Sequence, residues 1–304
     1  MYGVEDIQPV IRSQRELDDA HPIYRSFTQG RIGQSFSQDH VREKVIPAYM
    51  GLIAQCDDQM GRLFNHLEAT DQMDNTMIIL TSDHGDYLGD HWLGEKDLFH
   101  APSVKVPLII YDPRARADAT RGTTCDFVVE SIDATATMIE AAGREVPDHI
   151  VEGRSLQPFL DGASNPASRR YAISEYDYSC HSVGTALRVS PKDARLFMVA
   201  TQDWKLVHCE GGFRPMLFDL KNDPNELFDL GADPDYSDVR SELYMHLHDW
   251  SRRVSQRVTM SDDDIYARRR GGNRTGVLLG IYDENEIDPE LTAAYRGKVP
   301  PGPN

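Results

Sequence analysis

The stretch from Thr76 to His100 reads TMIILTSDHGDYLGDHWLGEKDLFH, and its first half decides the architecture. Met77 to Leu80 is an apolar run between threonines, too short for a helix and of the type that forms a buried strand. It stops abruptly at Asp83-His84-Gly85-Asp86. In an open α/β sheet, ligands bind beyond the carboxyl ends of the strands, where this cluster falls. A carboxylate beside a neutral imidazole suits a divalent cation, Asp83 supplying charge and His84 a directional nitrogen. Gly85 lets the backbone turn sharply straight after them. The competing reading is an Asx-type turn whose Asp caps the next segment and leaves His84 exposed. Lys96 follows a glycine-rich loop able to fold back, where an ammonium beside a metal holds phosphoryl or sulfuryl oxygens. His91 and His100 are placed either to reach a substrate oxygen as acids or to be hydrogen-bonded structural residues.

Upstream of this strand, Tyr49, Ile53, Cys56, Met60, Leu63 and Leu67 recur at steps of three and four, predicting a long helix from Ser37 with Pro47 near its start. Residues 1 to 36 are polar and read as surface loops. Downstream, VPLIIYDP (106–113) reads as a neighbouring strand, and SIDATATMIEAAG as a helix from Ser131 closed by Gly143. Strand, crossover, strand and helix in that order predict an α/β fold with a mostly parallel sheet flanked by helices, over residues 1–165. Over 166–260 the texture changes to short strand-like runs, RLFMVAT, WKLVH and MLFDL. They predict a small antiparallel α+β subdomain. Its closing helix is SELYMHLHDWSRRVSQRV, with Leu243, Leu247, Trp250 and Val254 on one face. Residues 261–304 form a glycine- and proline-marked arm whose apolar VLLGIY patch needs cover.

The 304 residues carry a net charge of -17, which disfavours nucleic acid and anionic membranes as partners. No run approaches the ~20 apolar residues of a membrane span. Cys56, Cys125, Cys180 and Cys209 form no CxxC pair and no evident disulfide framework. Reduced thiols and an opening MYGVEDIQPV without signal-peptide character fit a cytoplasmic protein.

The stretch NTMIILTSDHGDYLGDHWLGEKDLFHAPSVKVPLIIYDP resembles the second half of a sulfatase of the alkaline phosphatase superfamily, closest to its phosphonate monoester hydrolase branch. VVESIDATATMIEAAGREVPDHIVEGRSLQPFL and WKLVHCEGGFRPMLFDLKNDPNELFDLGADP continue the resemblance to about Pro234. It implies an alkaline-phosphatase-like fold, here incomplete, and hydrolysis of sulfate, phosphonate or phosphate esters. It makes Asp83 and His84 ligands of one divalent ion (Mn, Zn, Fe or Ca) and Lys96 the cation that holds the transferring group. Lys205 is a possible substrate-binding residue by the same resemblance, or else a surface strand lysine. The arm resembles an extension that builds homo-oligomers.

The family's nucleophile, a cysteine processed to formylglycine within a Cys-x-Pro/Ala-x-Arg stretch, has no counterpart around the four cysteines, and neither do its opening aspartates. The expectation is therefore a C-terminal portion that acts with an N-terminal portion of the same enzyme on a small ester substrate. Two other readings stay open. One is a naturally short, non-catalytic binding or oligomerisation module. The other makes Thr81 or Ser82 the nucleophile, although both lie on the metal-ligand loop and not opposite it.

Overall fold

The computed structural model describes residues 1–146, 151–163 and 169–252. The arm with its apolar patch, and Val254 of the closing helix, lie outside the described residues.

The N-terminal segment is not loop. It holds three short helices, α1 (Gln14–Asp18), α2 (Pro22–Thr28) and α3 (Arg31–Phe36). Ser13 caps α1 through a reciprocal arrangement in which the Glu16 carboxylate accepts the Ser13 N–H at 2.6 Å. Pro22 opens α2, where its missing N–H costs nothing, and Ile23, Tyr24 and Phe27 bury one face. Three apolar residues at i, i+1 and i+4 are enough to anchor so short a helix, but too few to stand out in a polar sequence.

The predicted long helix is α4 (Asp39–Ala69), which runs through Pro47. Its apolar stripe is present but uncovered: Arg42 is its one buried residue, and Leu52, Ile53 and Leu63 are 60%, 56% and 54% exposed. The strand that carries the Asp-His cluster is β1 (Ile78–Thr81), and its neighbour is β2 (Leu108–Tyr111), as expected. Their sense is not. Ile78 pairs with Tyr111 and Thr81 with Leu108, so the pair is antiparallel, and no parallel pair occurs among the described residues. A parallel return needs a crossover of a dozen or more residues, usually a helix on the sheet face. The connection here contains only a 3-10 turn (Asp90–Trp92) and the four-residue α5 (Ala101–Val104), and the chain doubles back. Nor is the pair buried, since Ile109 is 61% exposed. After it come α6 (Ile132–Ala141), ended by Gly143 at φ 72°, and α7 (Gln157–Leu160).

The second sheet follows the sequence more closely. Strands β3 (Ala172–Asp177), β4 (Arg195–Ala200), β5 (Trp204–Cys209) and β6 (Met216–Asp219) form an antiparallel meander in that order. The short α8 (Ser182–Ala186) lies between β3 and β4. One face sends Val199, Leu206 and Leu217 against Leu243 of α9 (Ser237–Ser251). The other sends Leu196, Met198, Val207, Cys209, Met216 and Phe218 into the main core. That core also takes Ile23, Tyr24 and Phe27 of α2 and Tyr87, Leu93, Leu98 and Phe99 of the loop after β1. The loop bearing the candidate site is thus seated on the antiparallel sheet. Among the described residues, no helix is long and apolar enough to cross a membrane.

Candidate metal and anion site

Beyond Thr81 the backbone leaves the sheet, and the next residues organise one another. The Ser82 hydroxyl donates to the His84 carbonyl at 2.8 Å, and Asp83 Oδ1 accepts the His84 N–H at 2.9 Å. That amide bond is the main reason the Asp83 carboxyl is held below its ordinary range; the side chain itself faces solvent. Asp83 Oδ2 lies 3.4 Å from His84 Nε2. With His84 Nδ1–H donating to the Gly85 carbonyl at 2.8 Å, Nε2 presents its lone pair beside that oxygen. One anionic oxygen and one imidazole nitrogen, adjacent and exposed, fit two positions around a divalent ion. Hard cations usually take about six donors, and among the described residues no group of three or more His, Cys, Asp or Glu side chains forms a fuller set.

Gly85 fixes where this loop lies. Its N–H donates to the Ser103 carbonyl at 2.7 Å, and a Cβ at this position would sit 1.9 Å from the Pro102 carbonyl oxygen. Gly85→Ala is expected to destabilise the protein by roughly 1–3 kcal/mol, since backbone must move to admit a methyl group. Urea denaturation checks this; a loss within error of zero would show that the two backbones do not meet.

Asp86 is a second, half-buried carboxylate of this loop. Burial pushes its pKa up, opposed by the amides of Leu88 and Glu95 and by the nearby charges of His84 and Lys96. Lys96 is exposed, and its carbonyl accepts the Ser103 hydroxyl at 2.5 Å. The segment that carries it is unusual in its backbone: Leu88, His91, Trp92, Glu95 and Leu98 all have φ between 47° and 77°. Left-handed conformations cost non-glycine residues about 1–2 kcal/mol each and persist where the surroundings over-determine them.

His91, His100 and Lys205 supply that constraint from inside, with 1%, 5% and 4% exposure. The two imidazoles stack with centroids 4.1 Å apart and planes 19° from parallel. His91 Nδ1–H donates to Glu16 Oε1 at 2.8 Å, and Tyr24 donates to the His91 carbonyl at 2.6 Å. The Tyr87 hydroxyl accepts the His100 N–H at 3.2 Å and donates to its Nδ1 at 2.9 Å. Lys205 Nζ pairs with Glu226 Oε1 at 2.5 Å and donates to the Phe99 carbonyl at 2.7 Å. Lys205 is thus buried against protein partners, contrary to its reading as a surface strand lysine. All three side chains have protein partners, not solvent-facing atoms.

Burial drives the His100 pKa well below 6.5, with the charges of His91 and Lys205 adding to it, and burial also lowers that of His21. Between the folded and unfolded values the unfolded chain binds more protons. Stability is therefore complete above about pH 6.5 and falls on acidification, by up to about 1.4 kcal/mol per pH unit for each such histidine. Burial raises the pKa of Asp86 and Asp90, which opposes this only lower, in the carboxylate range. Denaturation midpoints are expected to drop between about pH 7.5 and 5.5, with a smaller drop for His100→Gln. A rise on acidification would contradict the buried neutral imidazole.

Comparison with known proteins gives a consistent set of likenesses. The sulfatase family model matches residues 13–144, and the model described as N-sulphoglucosamine sulphohydrolase, C-terminal, matches residues 89–253. The chain is 35% identical over 254 residues to the multifunctional alkaline phosphatase superfamily protein PehA of Trinickia caryophylli, covering 78% of this chain and 48% of that protein. It is 31% identical over 210 residues to the N-acetylglucosamine-6-O-sulfatase of Bacteroides thetaiotaomicron, covering 67% and 35%. The phosphonate monoester hydrolase SpPMH of Silicibacter pomeroyi superposes with a TM-score of 0.73 at 26% identity, covering 84% of this chain and 52% of that one. The chain thus spans about half the length of PehA and of SpPMH, and 35% of the N-acetylglucosamine-6-O-sulfatase.

Proposed function

The chain belongs to the sulfatase family of the alkaline phosphatase superfamily, and we propose that it forms part of a metal-dependent hydrolase of sulfate, phosphonate or phosphate esters. The observation that carries this reading is the presentation of Asp83 Oδ2 and His84 Nε2 side by side, exposed, at the end of β1. A divalent ion held there (Mn, Zn, Fe or Ca) would act as a Lewis acid on the ester oxygens. Asp83 brings the charge and His84 the direction. Lys96, further along the same loop, neutralises the non-bridging oxygens of the transferring group. With a net charge of -17 the protein repels anions at long range, so anion binding rests on these local cations.

This chain supplies no nucleophile in the reading. Attack on sulfur or phosphorus comes from a formylglycine carried by an N-terminal portion of the same enzyme, which also brings the remaining metal ligands. Support for such a portion lies in the uncovered apolar side chains of α4 and β2, Leu52, Ile53, Leu63 and Ile109, beside relatives of which this chain spans about half. The free cysteines, three of them exposed, support a cytoplasmic setting, and oligomerisation through residues 261–304 rests on resemblance alone.

The polypeptide that joins this chain to its nucleophile segment is expected to hydrolyse 4-nitrophenyl sulfate or a phenylphosphonate monoester. Chelation should abolish that activity, and Mn²⁺ or Zn²⁺ should restore it. Turnover indifferent to a chelator would contradict the assignment.

A further inference from the structure

We propose that Lys205 and Glu226 are positioning residues of the candidate site. From the antiparallel unit they clamp the backbone on both sides of His100, and so fix the helix to which both halves of the site are tied. This rests on the reading of Asp83, His84 and Lys96 given above, but its geometry stands by itself.

The clamp has two jaws. Lys205 Nζ, on β5, donates to the carbonyl of Phe99 at 2.7 Å. Glu226 Oε2 accepts the N–H of Ala101 at 2.6 Å. The two side chains are themselves joined at 2.5 Å. One ion pair therefore holds the peptide groups immediately before and after a single residue, more than a hundred positions away in sequence. His100 between them is locked independently by Tyr87 and by its stack on His91.

Ala101 opens α5, and α5 distributes the constraint. Its Ser103 carbonyl accepts the N–H of Gly85, next to His84, and its Ser103 hydroxyl donates to the carbonyl of Lys96. The metal-ligand loop and the anion-binding lysine, 13 positions apart, are thus hung from the same serine. Glu226 is also held in a left-handed conformation (φ 54°) and is 1% exposed, a costly arrangement for a glutamate in a turn. Stability alone is a poor account of such a pair, because a buried ion pair replaced by apolar residues is often neutral or better. What apolar replacements cannot reproduce is the two fixed peptide groups.

The test is amide hydrogen exchange in the 304-residue chain carrying Lys205→Met together with Glu226→Leu, which removes both charges and both backbone contacts. Exchange at Gly85 and Ala101 is expected to quicken about tenfold or more, while Val199 and Leu206 in the β4–β5 ladder keep their protection. Wild-type protection at Gly85, with the fold intact, would overturn the proposal, as would equal loss across β4 and β5. Should the double variant fail to fold, native-state exchange of the wild-type chain under increasing denaturant decides instead. Gly85 and Ala101 are expected to open as one unit, and Gly85 opening separately at far lower protection overturns it. In the longer catalytic polypeptide, the conservative Glu226→Gln, which keeps the acceptor for Ala101, should retain more kcat than Glu226→Leu at the same KM. Failure of the hydrolase reading itself would show as Asp83→Ala retaining activity, and it would leave the exchange results unchanged.

Discussion

Asp83→Ala, and separately His84→Ala, are expected to lower ester hydrolysis by about 10³-fold or more while leaving the unfolding midpoint within about 0.5 kcal/mol of the parent. The two halves of that expectation have different sources. The loss of activity follows from removing one of the few groups that hold the ion responsible for several kcal/mol of charge stabilisation, at about 1.4 kcal/mol for each tenfold. The unchanged stability follows from exposure: among the described residues, Asp83 bonds only to Ser82 and His84, its immediate neighbours. An inactive variant that folds as well as the parent therefore isolates chemistry from structure. Activity within about threefold of the parent would remove Asp83 from the site.

Glu226→Ala should do the reverse and act on the fold first. It leaves the Lys205 ammonium buried with only the Phe99 carbonyl, and the Ala101 N–H without its acceptor. Breaking one side of a buried pair costs about 3–5 kcal/mol, a large part of the stability of a domain this size. Burial lowers the Lys205 pKa even with its partner, which alone raises it, so the variant is expected to shed part of that cost by deprotonating at high pH. Urea denaturation at neutral and alkaline pH reads both effects. A loss below about 1 kcal/mol would mean that water or another group already solvates the lysine.

The sequence and the structure part company at identifiable places. The β4, β5 and β6 runs, the long α4 and the Gly143 stop were all legible, because period and punctuation alone specify them. The sense of the β1–β2 pair was not, since it depends on a connection of irregular turns that no periodicity announces. Helix α2 was missed because its burial rests on three side chains meeting a sheet nearly two hundred residues later, and α1 and α3 because they bury no apolar side chain that a pattern could announce. The site was half legible. Asp83 and His84 announce themselves as a ligand-type pair at a strand end. His91, His100 and Lys205 look equally chemical in sequence, and only their burial shows that their polar atoms face the protein. Glu226 lies within the stretch that carries the family resemblance, but its role was not legible there, because that role comes from a lysine and an amide far away in the chain.

On the proposed function, this chain provides one side of an active site completed by further polypeptide. The most direct measurement is the intact mass of the protein isolated from its natural source. A mass well above the 34.3 kDa of these 304 residues is expected, lighter than the coding sequence implies by the conversion of one cysteine to formylglycine. A mass matching 34.3 kDa would contradict it, leaving a sulfatase-family fold that holds ligands and a lysine but acts as a binding module.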